Sequence, residues 1–160
     1  MSRILQLKTP HQGLSSIVNV EARVGSAQPN LRDDVKIVQQ LLLMAYSDSR
    51  QRSYGLPRVT SHFDAATGFW IYEFQVEMKR AVPQQIVDGV ISPAQGATHY
   101  GPGGIWSIVR LNVYAFQSDA VSYKAFASEW QEAELGYRMV QVSAASNRMV
   151  QVSATSVRRP

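Results

Sequence analysis

The sequence predicts a mainly α fold: a three-helix core, an additional helix, and β-strand extensions at both termini. Three observations predict it. Two long central segments carry apolar residues at helical spacing behind acidic or capping residues. A run near the N-terminus alternates apolar and polar residues with period two. The chain ends in a ten-residue repeat, RMVQVSAASN then RMVQVSATSV, whose valines keep one face only in an extended strand.

The N-terminal extension is placed at residues 1–24. Residues 3–7, RILQL, and 17–24, IVNVEARV, read as extended, and TPHQGLSS between them is rich in turn formers, so a hairpin is expected. In the second run Val18, Val20, Ala22 and Val24 alternate with Asn19, Glu21 and Arg23.

The helical core is placed at residues 25–112. Asn30 is the expected N-cap of a helix over 31–45, with Asp33 and Asp34 in the first turn suiting the helix dipole. Val35, Val38, Leu42 and Ala45 form one stripe, and Ile37, Leu41 and Met44 a second. Asp64 caps the next helix, expected over 65–81. Its stripe is Thr67, Trp70, Ile71, Phe74 and Met78; Phe69, Tyr72 and Val76 make another side. Both helices are apolar over more than one face, so the terminal extensions or another molecule must cover the excess. A turn-rich connection leads to a short helix over 105–112. The segment 113–137 holds an additional helix, with Ser118 or Asp119 as cap and Gly136 as stop, whose Tyr123, Phe126 and Trp130 are spaced to pack onto the spare face of an earlier helix.

The tail, 138–160, is expected to be β. A ten-residue shift turns a helix through about 1000°, roughly 80° short of whole turns, so two helical copies face different ways. In a strand Val140, Val142, Val150 and Val152 share a face. Net charge is +4, and it resides here: four of the sixteen basic residues and no acid lie in the tail, leaving twelve against twelve before it. That balance argues against a nucleic-acid-binding core and for a tail that meets a partner. Arg138, Val140, Val142, Arg148, Val150 and Val152 are the candidate partner-binding residues, in contact with another protein or a second copy.

There is no cysteine, so thiol chemistry and cysteine zinc sites are excluded. His11, His62 and His99 are scattered without metal-ligand spacing, and no nucleophile motif occurs. Glu129, Glu132 and Glu134 read as a solvated helix face. No enzyme activity, metal or cofactor is expected. No run approaches a membrane span, and none resembles a signal-peptide core. The chain is therefore expected to be made in the cytoplasm, then delivered to the periplasm or wall, or incorporated in a particle.

The segment from Val24 to Asn112 resembles the three-helix peptidoglycan-binding domain of bacterial cell-wall hydrolases and phage lysins. The family's first helix reads D-V-x-x-[LV]-Q-x-x-L, and Asp34, Val35, Val38, Gln39 and Leu42 stand in those places. Its second follows D-G-x-F-G-P-x-T-x-x-A-V-x-x-F-Q, matched here by Phe63, Thr67, Ile71, Phe74 and Gln75. Asp88, Gly89, Val90, Ile91 and Pro93 match the D-G-x-x-G-P turn that follows. Gln39 and Gln75 would then hydrogen-bond loop backbone beside the core.

Departures are Thr60-Ser61 for the first Asp-Gly, Asp64 and Ser92 for glycines, and Trp70 for a small residue. A large ring there is expected to push neighbours apart or stand exposed. The resemblance implies non-catalytic binding of peptidoglycan glycan or stem peptide, with Tyr54, His62, Tyr100 and Trp106 as candidate ligand contacts. The alternative is an assembly protein of a phage or contractile injection particle that uses the fold and its terminal strands for protein contacts.

Overall fold

The structure is a computed structural model that describes residues 3–47, 55–101 and 104–156; over 138–156 it describes the backbone and, of the side chains, Gln141. Strands β1 (Ile4–His11) and β2 (Leu14–Val18) form an antiparallel hairpin. The turn is Gln12-Gly13, both at positive φ (47° and 89°), the backbone that a two-residue hairpin loop requires. The pair β3 (Val24–Gly25) and β4 (Val90–Ile91) joins the two ends of the helical segment. A third pair, β5 (Tyr100–Gly101) and β6 (Gly104–Ile105), precedes the third helix. The helices are α1 (Arg32–Tyr46), α2 (Ala65–Ala81), α3 (Ser107–Ser118) and α4 (Ala120–Ser156).

The mainly helical class and the N-terminal hairpin are as expected, and α2 has its expected bounds. Asp64 caps α2 by accepting from Thr67 N at 2.7 Å. Helix α1 differs at its start. Its N-cap is Leu31, without a side-chain cap bond. Asn30 sits at φ 49° and spends its amide on the preceding loop, accepting from Gly25 N and donating to Gly25 O and Gln28 O. The alternation after Val18 breaks as well. Asn19 is buried rather than exposed, because its amide pairs with both backbone groups of Ala94 at 3.0 Å.

The core answers why α1 is apolar on two sides. Val35, Val38 and Leu42 are fully buried, as are Ile37 and Leu41. The helix touches α2, α3, α4 and β3, so both faces are covered from within the chain. Tyr123 and Phe126 of α4 enter the same core, which also takes in Leu7, Leu14 and Ile17 of the hairpin. Helix α3 runs on past Asn112, so that residue lies inside an element rather than at its end. On α2 the second side is covered only in part: Phe69 and Val76 are half-buried and Tyr72 is 50% exposed, while Met78 at the end of the first stripe is half-buried.

Buried polar groups fix how the pieces meet. Asn112, wholly buried, accepts from Val18 N and Tyr123 Oη and donates to Val18 O and Ile108 O. One amide thus ties the hairpin, α3 and α4 together. Asp34, also wholly buried, accepts from Glu21 N and Ala22 N and pairs with Arg3. It therefore serves as a clamp on the extension, beyond its expected place near the helix dipole.

Trp70 does not stand exposed. Its ring is completely buried, 4.9 Å from Tyr46 and edge-on to Phe69 at 5.4 Å. Two aromatic partners fill the space a small residue would leave open.

The β tail is overturned. Gly136 does not stop α4, whose backbone continues through both repeat copies to Ser156. The helix is already nucleated where Tyr123 and Phe126 pack, and each further residue adds a hydrogen bond at little entropic cost. Ala, Met, Gln and Arg in the repeat favour helix, whereas an isolated two-stranded ribbon is marginal in water. Residues 157–160 lie outside the described residues.

Candidate functional site

Two turns in the structure are held in the same way. Gln39 Oε1 accepts from Thr60 N and Ser61 N, both at 2.9 Å, while its Nε2 donates to Thr60 Oγ1 and His62 O. Gln75 Oε1 accepts from Asp88 N and Gly89 N, while its Nε2 donates to Asp88 Oδ1 and Val90 O. In each turn the first side chain also accepts from the third N–H: Thr60 Oγ1 from His62 N, and Asp88 Oδ1 from Val90 N. The residue between them is left-handed in both, Ser61 at 60° and Gly89 at 70°. A buried amide can satisfy donor and acceptor together, which explains why glutamine rather than an apolar residue stands at each place.

The second of these turns borders a cleft. Its volume is about 120 Å³, and its lining includes Gln75, Asp88, Ser92, Ile105 and Trp106. Ser92 N donates to Ser107 Oγ at 2.8 Å, which seats the start of α3 against this wall. A second cleft of about 250 Å³ shares Gln85, Gly104 and Ile105 with the first and adds Val82, Gln84, Tyr100 and Arg110. The β5–β6 hairpin lines both, through Gly104 and Ile105. Its geometry depends on Gly101, where a Cβ would lie 2.6 Å from the Trp106 ring.

Beyond this hairpin, His99 stacks on His11 with ring centroids 4.6 Å apart, and Lys8 N donates to Ala97 O at 3.0 Å. The N-terminal hairpin thereby braces the loop that carries Tyr100. Burial, together with His99 and Arg110, lowers the His11 pKa. Burial also holds the Arg110 guanidinium below its ordinary value.

Of the sequence-predicted ligand contacts, the structure brings Tyr100 and Trp106 to these adjoining clefts. His62 is exposed on the Gln39 turn, with its ring Nδ1 2.9 Å from Thr60 O, and lines neither cleft. Tyr54 lies outside the described residues. The backbone of Arg138, Val140, Val142, Arg148, Val150 and Val152 is helical, and their side chains lie outside the description. Arg110 and Gln85 were not singled out from sequence. The available signal was a lone cation within the otherwise uncharged stretch IWSIVRLN.

A larger cleft, about 440 Å³, lies between the hairpin and α4 and is lined by Arg3, Glu21, Asp33, Trp130 and Glu134 among others. Its cation is already engaged, since Arg3 pairs with Asp34, Glu21 and Asp33. Among the described residues no cluster of three or more metal-ligating side chains occurs, and no helix is long and apolar enough to cross a membrane.

No protein-family model, curated protein or solved structure matches the chain.

Proposed function

We propose that the protein binds bacterial cell-wall peptidoglycan without catalysis, through the cleft beside the Asp88 turn. The observation that carries this reading is the open, aromatic-lined cleft between the Gln75-held turn and the β5–β6 hairpin. Trp106 offers an apolar ring face to a sugar, Tyr100 stands 60% exposed at the adjoining cleft, and amides of Gln84 and Gln85 supply hydrogen-bonding groups. The two like-held turns support the reading further, because Gln39, Gln75 and the Asp88-Gly89 turn are among the residues that carry the resemblance to peptidoglycan-binding domains, although Thr60-Ser61 depart from it. At about 120 and 250 Å³ the clefts suit one sugar or a short peptide end at a time, not a long glycan.

Co-sedimentation with purified sacculi tests the proposal. The full chain should pellet with sacculi, Tyr100→Ala should weaken pelleting several-fold, and Tyr72→Ala, on an unrelated exposed surface, should leave it unchanged. Equal binding by the wild type and Tyr100→Ala, or no pelleting at all, would remove the reading.

A second reading, assembly into a phage or contractile injection particle, is favoured by one feature. Helix α4 has 37 residues, about 55 Å of helix, and among its described side chains Trp130 is the last packed on the core. Beyond them Leu135 and Tyr137 are 55% and 67% exposed. Tail-dependent oligomers of the full chain, absent for residues 1–137, together with no sacculus binding, would select this reading.

A further inference from the structure

The cation in the 250 Å³ cleft, Arg110, is half-buried and has surroundings unlike those of Arg3. Arg3 is surrounded by three carboxylates, whereas no carboxylate lines the cleft at Arg110. Arg110 makes no ion pair among the described residues, and its Nε–H is buried without an acceptor. Its guanidinium is partly withdrawn from water, and among the described residues no carboxylate offsets that cost.

We propose that the Arg110 cleft is a subsite for a carboxylate, and specifically for the free C-terminal carboxylate of a short peptide. The inference rests on the wall-binding reading for the source of that carboxylate, a stem peptide, and it deepens that reading by naming which part of the ligand is held. The planar fork of Arg110 matches a carboxylate through two parallel N–H···O bonds. Gln84 adds an amide, and Val82 and Ile105 give the wall an apolar part that accepts a methyl-sized side chain. A free inorganic anion would use the guanidinium but not that apolar wall. The histidine pair next door adds no negative charge to compete; when protonated it strengthens the attraction.

The test uses the full chain and NMR of its side-chain N–H groups. N-acetyl-D-alanyl-D-alanine should shift the Arg110 Nε–H and Trp106 Nε1–H resonances in a saturable way. The same peptide as its C-terminal carboxamide should bind at least tenfold more weakly, and inorganic phosphate likewise. Arg110→Gln should lose the response while keeping the rest of the spectrum, and Arg110→Lys should keep part of it. Equal binding of acid and carboxamide, undiminished binding by Arg110→Gln, or phosphate binding as tight as the peptide would each overturn the subsite. Sacculus binding separates the two claims. Sacculi held by Arg110→Gln as tightly as by the wild type would overturn the subsite and leave wall binding standing. An Arg110-dependent peptide response without sacculus binding would uphold the subsite and remove the wall as its source.

Discussion

Gln39 and Gln75 make the same hydrogen bonds on two different turns. Each accepts from two successive backbone N–H groups and returns its own N–H to the first side chain and the third carbonyl of that turn. The turns differ at their centre, where one has Ser61 and the other Gly89 at nearly the same positive φ.

That difference predicts opposite effects at equivalent places. A non-glycine residue in the left-handed region carries a penalty of about 1 kcal/mol. Ser61→Gly should relieve it, raising Tm by about 3 °C for a chain of this size. Gly89→Ser should lower Tm by a similar amount. Thermal unfolding followed by circular dichroism checks both, and a drop for Ser61→Gly would show that the Ser61 backbone is not strained.

Asn112 is the joint between hairpin, α3 and α4. Asn112→Ala would leave Val18 N–H, Val18 C=O and Tyr123 Oη buried without this partner. At about 1–3 kcal/mol for each unsatisfied buried group, with partial relaxation, the expected loss is about 3 kcal/mol. Urea unfolding measures it. A loss below about 1 kcal/mol would mean that the three pieces hold together by apolar contact alone.

Gly101 lines the cleft beside the Asp88 turn and packs against Trp106. Gly101→Ala places a methyl inside the Trp106 ring position and must push the ring or the β5–β6 hairpin aside. The predicted result is a shifted Trp106 Nε1–H resonance and at least tenfold weaker sacculus binding. Unchanged binding with a displaced ring would sever Trp106 from the proposed ligand.

The His11–His99 stack predicts a dependence on pH. The folded His11 pKa lies below its unfolded value near 6.5, because burial, His99 and Arg110 all oppose its charge. The unfolded chain therefore binds the proton more readily. Stability from this contact is complete above about pH 6.5 and declines as pH falls through the folded value. Since His11 is only partly buried, the effect should be small and local. The protection factor of Lys8 N–H, which bonds Ala97, should fall between pH 7.5 and 5.5 once the intrinsic pH dependence of exchange is divided out. His11→Gln should flatten that response; an unaltered fall in protection would place the titrating group elsewhere.

The buried faces of α1 and α2 were legible in the sequence because local rules sufficed there. The spacing of Val35, Val38, Leu42, Ile71 and Phe74 determines which helix faces are buried, and Asp64 caps its own helix. The hairpin was legible from turn residues and alternation. The roles of Asn30, Asn19 and Asp34 were not, because each polar side chain had several backbone partners within reach, and only the packed chain selects one. The tail was misread for a related reason. Alternating valines favour a strand when another strand is present, and here a packed helix end was available to extend instead. Arg110 belongs to the same class: the sequence shows an arginine, and only the fold shows it in a cleft without a carboxylate. Periodicity and capping act between near neighbours and can be read along the chain. Pairing of buried charges and amides is decided by distances across the core, which exist only once the chain has folded.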